Sequence, residues 1–159
     1  MDSRFLDIFN NTKHDIYRLV RIYMRNSYDT DDIVQNVYLK LHKNIYNLND
    51  DDHAKRWLIR VAINECKNQF LSNWVRRVIP LDETLVNEVS FEADDKVWQA
   101  VMSLPQKYRI VIYLFYYEEY STSEIAETLK LKEANVRKQL QRARERLKTI
   151  LKEAWDNEE

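Results

Sequence analysis

No glycine occurs anywhere in the 159 residues, although average usage near 7% would place roughly eleven in a chain of this length. That absence excludes a good deal of chemistry. A phosphate-cradling P-loop, a dinucleotide fingerprint and a nucleophile elbow each need glycine where backbone approaches a phosphate or turns sharply. Strand-rich folds also lean on glycine turns, so an all-helical protein with short Asn, Asp and Lys connections is expected. The single cysteine, Cys66, cannot close an internal disulfide, and its place in a helical apolar pattern predicts a buried thiol. His14, His42 and His53 are scattered without zinc spacing, so neither a metal nor another cofactor is expected. There is no run of eighteen apolar residues and no basic-then-apolar leader at the N-terminus, which predicts a cytoplasmic protein.

What the chain does have is charge, sorted by segment. The total is close to balanced, with a net of −1, and 45% apolar against 32% charged residues reads as globular. Yet Lys55 to Val78 holds six bases against Glu65, Leu81 to Asp95 holds six acids and no base, and Asn135 to Lys152 holds seven bases against Glu145. Two basic helical segments are thus divided by an acidic, weakly periodic stretch that opens at Pro80. This predicts a domain over 1–79, a linker over 80–95 and a second domain over 96–159. In the last basic segment Val136, Leu140, Ala143 and Leu147 recur at steps of four and three, one buried helical face. A helix stabilised by its own side-chain pairs would interleave Glu before Lys or Arg. Here acids are nearly missing, so the exposed charge reads as a binding property.

Helical periodicity organises the rest. Phe5, Ile8, Phe9, Ile16, Leu19, Val20 and Tyr23 predict a first helix ending near "RNSYD". A second begins in "DTDDIVQNVYLKLHKNI", with Asp29 or Thr30 as cap and Asp31 and Asp32 at the positive helix end. After the loop "YNLNDDDH" a third carries Trp57, Leu58, Val61, Ala62 and Cys66 inward, completing a small bundle. Beyond the linker, Val97, Trp98 and Val101 start a helix that breaks at "SLPQ", and "YRIVIYLFYYEEY" is apolar nearly all round, as a buried hub would be. Ser121 and Glu124 have capping-box spacing before a short helix to about Leu129. A turn over Lys130 to Lys132 then leads into the basic helix, a helix-turn-helix order whose second helix reads the major groove of DNA.

With these residues in view the chain resembles the extracytoplasmic-function sigma factors, the small two-domain initiation factors of bacterial RNA polymerase. "DTDDIVQNVYLKLH" is similar to the family's polymerase-binding helix, "WLIRVAINECKN" to its promoter-melting helix, and "LPQKYRIVIYLFYYEEYSTSEIAETLKLKEANVRKQLQRARERLK" to its promoter-reading domain. The resemblance implies binding and strand separation rather than catalysis, so the protein is not expected to be an enzyme. It implies core RNA polymerase, promoter DNA and an anti-sigma factor as partners, with no small-molecule substrate.

By the same resemblance Asp31, Asp32 and Gln35 would face the clamp of the largest polymerase subunit, although alone such acids at a helix start serve the helix dipole. One base of the minus-10 element would be flipped into a pocket walled by Leu48 and Asn49 and hydrogen-bonded by Asn64, with Arg60, Lys67 and Asn68 on the separated strand. Trp57 could stack on a base or pack in the core, and its place in the apolar seam favours the core. At the minus-35 element Arg137, Lys138, Gln141 and Arg142 would reach base edges, while Lys132, Arg144 and Lys148 would contact phosphates. Lys130 and "EAN" stand where the family often has glycine and a Gly-Thr pair. The rival reading is an autonomous helix-turn-helix regulator, which would need a dimer for two half-sites; nothing in the sequence resembles a dimerisation helix.

Overall fold

The computed structural model describes residues 2–24, 26–76 and 95–156. The expected acidic linker, apart from Asp95, lies outside the described residues, as does Arg77. Among the described residues the structure is helical and without strands, as the missing glycines and the 3.6-residue periodicity predict. The chain divides into two compact units.

The first unit is a bundle of α1 (Ser3–Tyr23), α2 (Ser27–Asn44) and α3 (Asp51–Arg76), each packed on the other two. Ile16, Leu19 and Val20 of α1 meet Ile33, Val37 and Leu41 of α2 and Leu58, Ile59, Ala62 and Ile63 of α3 in one buried core. A polar pair sits inside it with its hydrogen bonds satisfied: the Thr12 hydroxyl donates to the Ile8 carbonyl at 2.7 Å and shares a 2.8 Å bond with the Tyr38 hydroxyl. Asn26, not Asp29 or Thr30, caps α2. Its Oδ1 accepts from the Asp29 amide at 2.8 Å and its Nδ2 donates to the Asp29 carboxylate at 2.7 Å, so the reciprocal cap lies three residues ahead of the acids. The connection to α3 is also shorter than expected. A 3₁₀ turn occupies Ile45–Asn47, and Asp51 and Asp52 already sit in the first turn of α3, where their charge suits the helix end.

Cys66 is buried, as its pattern implies. Burial, reinforced by the Glu65 carboxylate, pushes its thiol from an ordinary value of 9.0 up to about 12. Below pH 9 the thiol is neutral in folded and unfolded chains alike, so its contribution to stability is complete there. Above that the unfolded chain loses the proton first, and stability falls as pH rises toward about 12. The urea midpoint of the first unit is therefore expected to drop between pH 9 and 11 by less in Cys66→Ala than in the unaltered chain, each compared with its own value at neutral pH.

The second unit comprises α4 (Lys96–Met102), α5 (Gln106–Ile112), α6 (Thr122–Leu129) and α7 (Glu133–Asp156). The hub is where the sequence places it: Tyr108 and Ile110 to Leu114 are buried, and the 3%-exposed Arg109 donates to the Met102 carbonyl at 3.3 Å. After Ile112 the helix widens into a π turn over Tyr113–Tyr117. Tyr113 faces inward against Trp98 and Tyr117, while Tyr116 emerges 52% exposed.

The α6–α7 corner is fixed at both ends. Ser121 and Glu124 close the capping box, with both bonds at 3.1 Å. At the other end Lys130 adopts φ 59°, ψ 46°, and Leu131 donates back to the Ala126 carbonyl at 2.9 Å, the bonding of a Schellman close. A side chain with a Cβ in the left-handed region costs about 1 kcal/mol. Lys130→Gly is thus expected to raise the unfolding free energy of this unit by about 0.5–1 kcal/mol in urea titration.

Candidate nucleic-acid interface

Three side-chain groups are candidate sites, two on the first unit and one on the second, each set by its helix. On α7, Val136, Leu140 and Ala143 are buried against the hub. The same periodicity therefore turns Arg137, Lys138, Gln141, Arg142, Arg144 and Lys148 to solvent, and Lys132 is exposed on the turn ahead of them. Acids do little to offset this face. Arg137 lies 3.5 Å from Glu133, and among the described residues Lys138, Arg142 and Lys148 make no ion pair. Glu133 is engaged elsewhere as well, since the Thr122 hydroxyl donates to it at 2.8 Å and ties the start of α6 to the start of α7.

Arg144 differs from its neighbours. Its Nε donates to the Tyr116 hydroxyl at 2.7 Å, and its guanidinium lies 5.1 Å from the Phe115 ring centre and 5.6 Å from that of Tyr116. The π turn makes this possible by presenting Phe115 and Tyr116 towards α7. The sequence gives no direct sign of that contact, which joins residues 28 apart.

On α3, Arg60, Asn64, Lys67 and Asn68 are exposed and follow one another at steps of four, three and one, a single stripe. Glu65, the lone acid of that basic segment, pairs with Lys40 of α2. Trp57 is half-buried within the helix that also buries Leu58 and Ile59. Asn49 is exposed at the mouth of the preceding turn, whereas Leu48 is 4% exposed and its side chain belongs to the core. What this turn offers to solvent is Tyr46, Asn47 and Asn49, with Leu48 as its apolar anchor.

On α2, Asp31, Asp32 and Gln35 are exposed. Asp31 and Gln35 border a groove of about 510 Å³ whose floor is Phe5, Phe9, Val34, Tyr38 and Leu39, with His42 at one end. The floor is braced by ring contacts, Phe9 to Tyr38 at 4.8 Å and Phe5 to His42 at 5.6 Å. Acid and amide thus stand beside an apolar trough. No group of three or more His, Cys, Asp or Glu side chains among the described residues is placed to hold a metal ion. No helix among them is long and apolar enough to cross a membrane.

Comparison with known proteins identifies each unit separately. Residues 8–76 match the family described as Sigma-70 region 2, and residues 94–147 match Sigma-70, region 4. The chain is 28% identical over 171 residues to the ECF RNA polymerase sigma factor SigW of Bacillus subtilis, covering 94% of this chain and 89% of that one. It is 27% identical over 150 residues to SigM of Mycobacterium tuberculosis, covering 92% and 76%. Its fold is shared with the sigma factor RpoE of Bartonella quintana, solved with the anti-sigma factor NepR, at a TM-score of 0.75 and 17% identity over 95% of this chain and 98% of that one. A three-helix bundle and a helix-turn-helix unit with an exposed basic face, each matched by its own sigma region, place this chain among the extracytoplasmic-function sigma factors of bacterial transcription initiation.

Proposed function

We propose that this protein docks on bacterial core RNA polymerase through Asp31, Asp32 and Gln35 and directs it to promoters by reading two separated elements. The observation that carries the reading is the α7 face, on which exposed bases stand with little carboxylate to neutralise them. In the minus-35 major groove Arg137, Lys138, Gln141 and Arg142 would meet base edges, where a bidentate pair discriminates by about 1–3 kcal/mol. Lys132, Arg144 and Lys148 would hold phosphates. At the minus-10 element the α3 stripe of Arg60, Asn64, Lys67 and Asn68 would hold the separated strand, and Asn49 with Asn64 would receive the flipped base. Leu48 would support that pocket from beneath, its side chain being buried.

The protein acts here by binding and carries out no covalent chemistry of its own, in the cytoplasm where core polymerase resides. An anti-sigma factor is its expected regulator; the Bartonella relative was solved in complex with one. Domain limits of 1–79 and 96–159, with an acidic tether over 80–95, complete the proposal.

Purified protein added to sigma-free core polymerase should yield promoter-dependent transcripts that neither component makes alone. Stable, specific binding to duplex DNA without polymerase, and no such transcripts, would instead identify an autonomous regulator. Lys148→Ala is expected to weaken polymerase–promoter binding alike on every promoter and to lower the slope of log affinity against log salt by about 0.9, the signature of one lost phosphate contact.

A further inference from the structure

The turn between α2 and α3 is held from outside by a residue that no sequence pattern singles out. Arg4, on the first turn of α1, sends its guanidinium across the bundle: Nη1 donates to the Ile45 carbonyl at 2.9 Å and Nη2 to the Leu48 carbonyl at 2.6 Å. These carbonyls stand at the two ends of the segment that presents Tyr46, which is 86% exposed, and Asn47. Ile45 and Leu48 are themselves 2% and 4% exposed, so their side chains anchor the turn in the core while one planar cation fixes their backbone. Asn49 is tied from the other side, its amide donating to Nδ1 of His53 at 3.1 Å, and the Asp50 carboxylate accepts from the His53 amide at 2.7 Å. A lysine could not reproduce the Arg4 geometry, because a single ammonium lacks the rigid fork that spans two acceptors.

We propose that Arg4 is a positioning residue for minus-10 selection, acting through the backbone of the Ile45–Leu48 turn without touching DNA. The inference rests on the reading of that turn given under Proposed function. A base received from the melted strand is discriminated only if Asn49 stands at a fixed place relative to Asn64 on α3, and side chains on an unheld turn read sequence poorly. Without Arg4 the Ile45 and Leu48 carbonyls would turn to water and the turn would sample other conformations.

The test uses the full chain with core polymerase on a promoter library randomised at both the minus-10 and minus-35 blocks, with transcripts sequenced. Arg4→Ala is expected to flatten the minus-10 base preferences by about threefold or more while leaving the minus-35 preferences as they were. Arg4→Lys should fall between the two. Asn49→Ala, run in parallel, tests the underlying reading. Flattening by Asn49→Ala but not by Arg4→Ala overturns the positioning role alone. Unchanged minus-10 preferences in both variants overturn the role and the reading together. Flattening by Arg4→Ala alone supports the clamp and moves the reading to another residue of the turn. Loss of transcripts in equal proportion from every sequence marks Arg4 as merely structural and also overturns the proposal. Should Arg4→Ala fail to fold, the same comparison is made with Arg4→Lys, whose preserved preferences would sink the inference.

Discussion

Arg142→Ala is expected to cut use of promoters that carry the preferred minus-35 sequence by about tenfold or more, the equivalent of 1–3 kcal/mol of base discrimination, while promoters with a scrambled minus-35 block change little. The side chain is exposed on α7 and, among the described residues, engaged in no ion pair, so its removal leaves the core untouched. Substitutions at such surface positions usually alter stability by no more than about 0.5 kcal/mol, and the unfolding midpoint should therefore stay in place. Parallel transcription from matched and scrambled promoters measures the effect. An equal loss on both would assign Arg142 to phosphate contact rather than base reading.

Leu140→Ala is expected to act through the opposite face of the same helix. Leu140 is 1% exposed where α7 packs on α5, and truncation there removes methyl groups from a closed core. The cost is about 2–5 kcal/mol, a large part of the roughly 5–15 kcal/mol that holds a typical protein folded. Amide protection across α4 to α7 should fall accordingly in hydrogen-exchange measurements. Promoter use should fall at all sequences, because the variant loses the domain and not a contact. Two positions two residues apart on α7 thus separate recognition from support: one changes which promoters are used, the other how much folded protein there is.

Much of this was readable from spacing. The seam of Val136, Leu140 and Ala143, the Ser121–Glu124 box and the turn at Lys130 are local patterns, each decided by residues within a turn or two of one another, and they lie where expected. The reach of α3 back to Asp51 was missed because a run of Asn and Asp suits a loop and the first turn of a helix equally well. The Asn26 cap was missed although its signal was present, an Asn with an acid three residues on; the later acids Asp31 and Asp32 drew the boundary too far along the chain. Leu48, expected to wall a pocket, is buried, since an apolar side chain on a short turn between packed helices finds the core. Arg4 and the Tyr116–Arg144 contact had no signal at all. They join residues 28 to 44 positions apart, and only the folded backbone brings them together.

The Tyr116–Arg144 contact bears on timing. Ordering a free arginine on a phosphate takes away rotamer freedom worth up to about 2 kcal/mol, and that loss ordinarily falls at the moment of association. Here the guanidinium already rests on Phe115 and Tyr116, so most of its wandering has ended before any duplex arrives. In the phosphate contact proposed for it, Arg144 would meet DNA with its guanidinium already held by these two rings.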